Sequence, residues 1–117
     1  MMTEQQISSA VDELAALVVE GKWEIAFEKF YHENVEKTDL DGIPVEGKAQ
    51  NLANGREFVS KISNVRDFSF SGKVVKGNRS FLVWSFDFDV DGQPLKIIEV
   101  AIQDWEDGKI IRERFIA

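Results

Sequence analysis

The sequence predicts one α+β domain spanning residues 1–117, with helices first and an antiparallel sheet last. Three observations carry this expectation. Apolar residues recur at helical spacing from Ile7 to Phe30. From Val65 onward the hydrophobic period changes to two. Short glycine turns then divide the remainder at Gly77-Asn78, Asp91-Gly92 and Asp107-Gly108. Helices and strands in separate blocks indicate α+β organisation. Successive strands joined by tight turns read as an antiparallel meander.

Thr3 opens a capping box that Gln6 completes three residues later. Ile7, Ala10, Val11, Leu14, Leu17 and Val18 then form one apolar stripe. Gly21 suits the left-handed residue that ends a helix. A second helix fits Lys22 to Tyr31, with Trp23, Ala26, Phe27 and Phe30 on one face, so the pair forms an αα-hairpin. Val35 to Leu40 reads as a short strand, followed by a turn at Asp41-Gly42 and punctuation at Pro44 and Gly47. Residues 48–62 carry a weaker helical pattern with Ala49, Leu52, Val59 and Ile62 inward, and Gly55 works against it. In the sheet region Phe68 and Phe70 alternate with small or charged residues. Leu82, Trp84, Phe86, Phe88 and Val90 share one face of the next strand, and Val83, Ser85, Asp87 and Asp89 the other. Pro94 opens a strand that runs to about Trp105, and Lys109 to Ile116 forms the last.

Composition narrows the function. A chain of 117 residues can bury a core without disulfide or metal staples. Nine Phe and three Trp supply large apolar surfaces for a core, a pocket or an interface. The net charge of -7, with no Lys/Arg cluster, argues against nucleic acid and anionic membranes as partners. The absence of Cys excludes disulfides and thiolate metal sites, and the single His32 excludes a multi-histidine centre. No Gly-rich phosphate loop, nucleophile elbow or ligand cluster is present, so neither a metal nor a cofactor is expected. The N-terminus has no basic region followed by an apolar run, and no apolar stretch approaches the ~20 residues that cross a bilayer, so the expected location is the cytoplasm.

The segment Trp105-Glu106-Asp107-Gly108-Lys109-Ile110, with Arg112 and Arg114 after it, resembles the last hairpin of SnoaL-like proteins. These belong to the nuclear-transport-factor-2-like superfamily, whose element order is similar over nearly the whole chain. The resemblance implies a cone in which a strongly bent antiparallel sheet wraps N-terminal helices around one internal pocket. It also implies a homodimer through the outer sheet face. Family activities include ketosteroid isomerases, polyketide cyclases and small dehydratases, beside non-enzymatic binding domains.

Within that resemblance, Asp39 matches the place of the isomerase base. Leu14 and Ala101 stand where the two oxyanion-hole donors would be, and neither side chain can donate a hydrogen bond. Loss of both donors argues against ketosteroid isomerase chemistry. The cyclases carry an acidic base near Ala101, and Glu99 is the nearest acid on that face. The resemblance therefore implies a mostly apolar ligand pocket lined by Leu14, Trp84, Phe86, Phe88, Ala101, Gln103, Trp105, Glu113 and Phe115, with Glu99 and Asp39 as candidate catalytic residues. A carboxylate among aromatic rings should be desolvated and its pKa raised towards a useful general-base value. Alternation alone permits the opposite assignment, with Ile98, Val100 and Ile102 in the core and Glu99 in water, because a one-residue slip exchanges the faces. Under the pocket assignment those three residues form an apolar outer patch suited to a dimer.

The expected function is a small-molecule-binding protein for an apolar or ring-containing ligand. Whether it is an enzyme stays open. If catalytic, it would be a cofactor-free isomerase, cyclase or dehydratase with Glu99 or Asp39 as base and Gln103 orienting the substrate oxygen. The alternatives are a non-catalytic ligand-binding domain and a dimeric interaction module.

Overall fold

A computed structural model describes residues 1–117. The first helix, α1 (Glu4–Val19), starts at a complete capping box: the Gln6 backbone N–H donates to Thr3 Oγ1 and the Thr3 N–H to Gln6 Oε1. Gly21, at φ 82°, ends it, with the Gly21 and Lys22 N–H groups donating to the Val18 and Leu17 carbonyls. The second helix, α2 (Trp23–Phe30), runs directly into strand β1 (Tyr31–Thr38). This strand therefore begins four residues earlier than the predicted Val35.

After the short β2 (Pro44–Glu46) comes α3 (Lys48–Ser60), then β3 (Ile62–Lys76), β4 (Arg79–Val90), β5 (Gln93–Glu106) and β6 (Lys109–Ile116). The inward residues of α3 differ from those predicted. Lys48 and Asn51 are buried, Ala49 and Val59 are exposed, and only Leu52 and Ile62 stay half-buried. Polar anchoring replaces apolar packing: Lys48 donates to the Glu28 carbonyl, and Asn51 to those of Val45 and Gly47. Gly55 has a packing reason, because a Cβ there would lie 2.9 Å from the outer ring carbons of Trp23.

The six strands order as β2-β1-β6-β5-β4-β3. The β3-to-β6 meander is antiparallel as predicted, but β1 pairs with β6 in parallel, so the sheet is mixed and it does not close. The physical reason is connectivity: a helix and three long strands separate β1 from β6, which is ample for a parallel crossover. At the second and third hairpins, Asp91-Gly92 and Asp107-Gly108 all take positive φ, between 52° and 79°, as primed turns require.

Helices α1 and α2 cover one end of the sheet's inner face. Ile7, Val11, Leu14, Ala26, Phe27 and Phe30 pack there against Val35, Leu82, Trp84, Ala101, Trp105 and Ile110. No helix is long and apolar enough to cross a membrane.

Candidate functional site

Strand β5 turns Glu99, Ala101, Gln103 and Trp105 towards the helices. Ala101, Gln103 and Trp105 are buried there, whereas Ile98 on the opposite face is 66% exposed. Cross-strand pairing places Trp84 beside Glu99 and Leu82 beside Ala101 on β4, and Phe115 beside Ala101 and Glu113 beside Gln103 on β6. Phe70 and Phe68 extend the same face into β3, opposite Trp84 and Phe86.

This face has two halves. Beneath the helices lies a closed chain of hydrogen bonds. Trp105 Nε1 donates to Ser80 Oγ at 2.9 Å, and Ser80 Oγ donates to Gln103 Oε1 at 2.9 Å. Gln103 Nε2 donates to one Glu113 oxygen at 2.7 Å, and Tyr31 Oη donates to the other at 2.6 Å. Every member is buried. Burial holds both the Tyr31 hydroxyl and the Glu113 carboxyl above their ordinary pKa ranges. For Gln103 the structure shows a buried role: its amide oxygen accepts from Ser80, one of its two N–H groups donates to Glu113, and the side chain is 1% exposed beneath the helices. Trp105 is likewise packed edge-on against Phe30. Leu14 is a buried core residue. Tyr31→Phe should remove one donor from the buried Glu113 and lower stability by ~1–2 kcal/mol, read from urea denaturation.

The other half is incompletely roofed. Phe68, Phe70, Phe86, Ile97, Glu99 and Phe115 face the inner side yet remain only half-buried. The rings of Phe68, Phe70, Trp84, Phe86 and Phe88 pack in a continuous band. Phe68 lies 4.8 Å from Phe86, Phe70 5.3 Å from Trp84, and Phe86 5.6 Å from Phe88, which is closed off edge-on by Phe58 of α3. Glu99 stands at the margin of this band and makes no hydrogen bond or ion pair within the protein. Its carboxyl is pushed up to about 7, first by desolvation, then by the negative charges of Asp39 and Glu113, with Lys37 pulling the other way. A group titrating near neutrality, free of internal partners and beside aromatic surface can take and return a proton.

Asp39 follows β1 and is exposed in the turn closed by the Gly42 N–H on its carbonyl. Its charge reaches Glu99, Glu113 and Tyr31. Sequence reasoning missed Lys37. That residue pairs in register with Glu113 across the parallel β1–β6 ladder, and its ammonium lies 5.2 Å above the Phe115 ring. The period-two relation of Lys37 to Asp39 was visible, but their strand neighbour was not.

The two main surface clefts are not the internal apolar pocket of the sequence prediction. These open clefts, of about 370 and 390 Å³, flank His32 and Asp107 and have mainly polar linings. Neither includes Glu99, Trp84 or Phe86. On the inner face the aromatic side chains pack on one another, and Phe68, Phe70 and Phe86 stay half-buried.

Fold and site together define a nuclear-transport-factor-2-like α+β protein with an acidic residue on its inner sheet face. A SnoaL-like domain model matches residues 2–117, and the chain belongs to that family. No curated protein matches it. Among solved structures, it is similar to a Mesorhizobium loti protein provisionally described as a SnoaL-like polyketide cyclase, at 23% identity and TM-score 0.86, covering 99% of this chain and 100% of that one. A Burkholderia pseudomallei nuclear-transport-factor-2-like protein of unknown function matches at 15% identity and TM-score 0.78, over 98% and 91% of the two chains. A Catenulispora acidiphila protein with a ketosteroid isomerase-like fold, in complex with trimethylamine, matches at 14% identity and TM-score 0.74, over 92% and 84%. At these identities the likeness is one of fold.

Proposed function

We propose that this protein binds a small ring-containing molecule against the half-open aromatic band and that Glu99 acts there as a cofactor-free general base. One observation carries the reading: a half-buried carboxyl without any internal partner is held near neutral pKa beside Trp84, Phe86 and Phe115. The polyketide-cyclase description and the ketosteroid isomerase-like fold of two structural neighbours support it. The reaction class is proton abstraction from carbon next to a carbonyl, leading to isomerisation, cyclisation or dehydration.

The test is a thermal-shift panel of polycyclic ketones and aromatic acids, with tryptophan fluorescence as second readout. A ligand of the native state raises apparent stability by mass action. Quenching that disappears in Trp84→Phe places the ligand beside Glu99. Silence across a broad panel sinks the binding reading. Asp39→Asn is expected to remove a negative neighbour and move the Glu99 midpoint to lower pH, read from the pH profile of turnover or of ligand binding. An unmoved midpoint would leave Asp39 outside the site.

A second reading concerns the outer sheet face. Val74, Ile98 and Ile116 are 62%, 66% and 48% exposed, and Phe81, Val83, Val100 and Ile102 join them across paired strands. Such a patch fits a homodimer. Val100→Asp should then halve the mass seen by sedimentation. A wild-type monomer at high concentration would reject this reading.

A further inference from the structure

The inner sheet face holds an ammonium without a hydrogen-bond or carboxylate partner. Lys73, on the same face, donates to the Ser8 carbonyl and pairs with Asp12. Lys48 binds the Glu28 carbonyl. Lys37 is different. It is half-buried, it sits over Phe115, and its ammonium forms neither a hydrogen bond nor an ion pair within the protein. Glu99 and Glu113 nevertheless feel its charge. An ammonium has three donors and no acceptor capacity. Held over a ring and short of a carboxylate partner, it is placed to meet an oxygen that the protein does not supply.

The opposite side of the problem is equally concrete. If Glu99 takes a proton from carbon, negative charge develops on the adjacent carbonyl oxygen and needs a donor. Leu14 and Ala101 cannot donate. The single Tyr31 hydroxyl proton is spent on Glu113, and Gln103, which donates one N–H to Glu113, is buried beneath the helices. Phe115 pairs directly with Ala101, two residues from Glu99 on the same face, and β6 lies between β1 and β5, so the Phe115 ring separates the ammonium above it from the base.

We propose that Lys37 is the oxyanion partner of this site, and that the ligand is a ring bearing a carbonyl or phenolic oxygen, which sits on the Lys37 ammonium while its acidic carbon faces Glu99. The inference rests on the base role given to Glu99 above. The step is balanced without a co-reactant. The C–H bond breaks, its proton goes to the Glu99 carboxylate, and its electron pair enters the carbonyl system as an enolate whose oxygen accepts a hydrogen bond from Lys37. Return of the proton from Glu99 to another carbon completes an isomerisation.

The experiment uses Glu99→Gln protein, which mimics the protonated base, with 4-nitrophenol, whose ionised form is coloured. Bound 4-nitrophenol is expected to be more ionised than free. Adding Lys37→Met should reduce the bound ionisation constant ~10-fold, and Lys37→Arg should retain most of it. The uncharged 4-nitrotoluene should bind all three proteins alike, which a merely structural role for Lys37 would not give. Equal ionisation with and without Lys37 overturns the assignment while the binding site stands. Failure of 4-nitrophenol to bind, with other rings of the panel still binding, also overturns it. Silence from every ring overturns the underlying reading as well.

Discussion

Glu99→Gln is expected to abolish proton transfer and, at alkaline pH, to raise the melting temperature. Both effects come from one cause. The folded protein holds this carboxyl at about 7, against an ordinary value of 4.5, mainly by desolvation and by the charges of Asp39 and Glu113. In the proposed mechanism the ionised form is the base, so turnover should rise with pH through about 7 and then level. An amide cannot accept the proton, and a lost general base typically costs ~10²–10⁴-fold in rate. Stability runs in the opposite direction. Below pH 4.5 the carboxyl is protonated in both folded and unfolded chains and contributes nothing to the pH dependence. Between 4.5 and about 7 the unfolded chain releases the proton that the folded one retains, so stability falls as pH rises. Above about 7 the loss is complete. Glutamine is neutral throughout. Discounted for solvent screening of a half-exposed group, the gain of the variant at pH 8 is ~1 kcal/mol, or about 5 °C in Tm. At pH 4 the two proteins should melt together. Full turnover in Glu99→Gln would remove this residue from the mechanism, and equal melting at pH 8 would show that its carboxyl is not desolvated.

Glu113→Ala should cost far more stability than any change at the open half of the face. The substitution strands the Tyr31 hydroxyl and the Gln103 amide, each buried and each donating only to Glu113 among side chains. An unsatisfied buried donor costs ~1–3 kcal/mol, and the cavity left by the lost side chain adds to that. A total of ~4 kcal/mol is expected, a large part of the stability of a domain this size. Denaturant unfolding measures it directly. Glu113→Ala together with Tyr31→Phe should recover part of the loss, because one stranded donor disappears. An additive double variant would mean that the two groups are not coupled. Removal of the Glu113 charge also lowers the Glu99 midpoint, so any residual turnover should shift to lower pH.

The parts of this protein governed by neighbours in sequence were legible in the sequence. The Thr3–Gln6 capping box, the Gly21 terminus and the Asp-Gly turns at 91–92 and 107–108 depend on interactions spanning a few residues, and the structure places each as predicted. The period-two pattern from Val65 onward identified the strands β3 to β6, and the resemblance carried by Trp105 to Arg114 identified the family.

What lay beyond reach depends on partners distant along the chain. Helix α3 is held by Lys48 and Asn51 reaching backbone carbonyls, which no apolar periodicity records. Gly55 weakens the helical pattern and yet makes room for Trp23, 32 positions away by number. Alternation in β5 left two assignments for Glu99 and Ile98, and pairing with β4 and β6 beneath two helices selects one. The placements of Gln103 and Lys37 were decided in the same way. Gln103 is taken by Ser80 and Glu113, and Lys37 reaches the inner face only because β1 lies parallel to β6. Short-range hydrogen bonding and side-chain periodicity specify α1, α2 and the strands β3 to β6, so these elements could be read from the residues alone. The assembled sheet decides which polar groups are consumed in the core and which are left without an internal partner, because burial and partnership are set by residues that meet only in the folded chain.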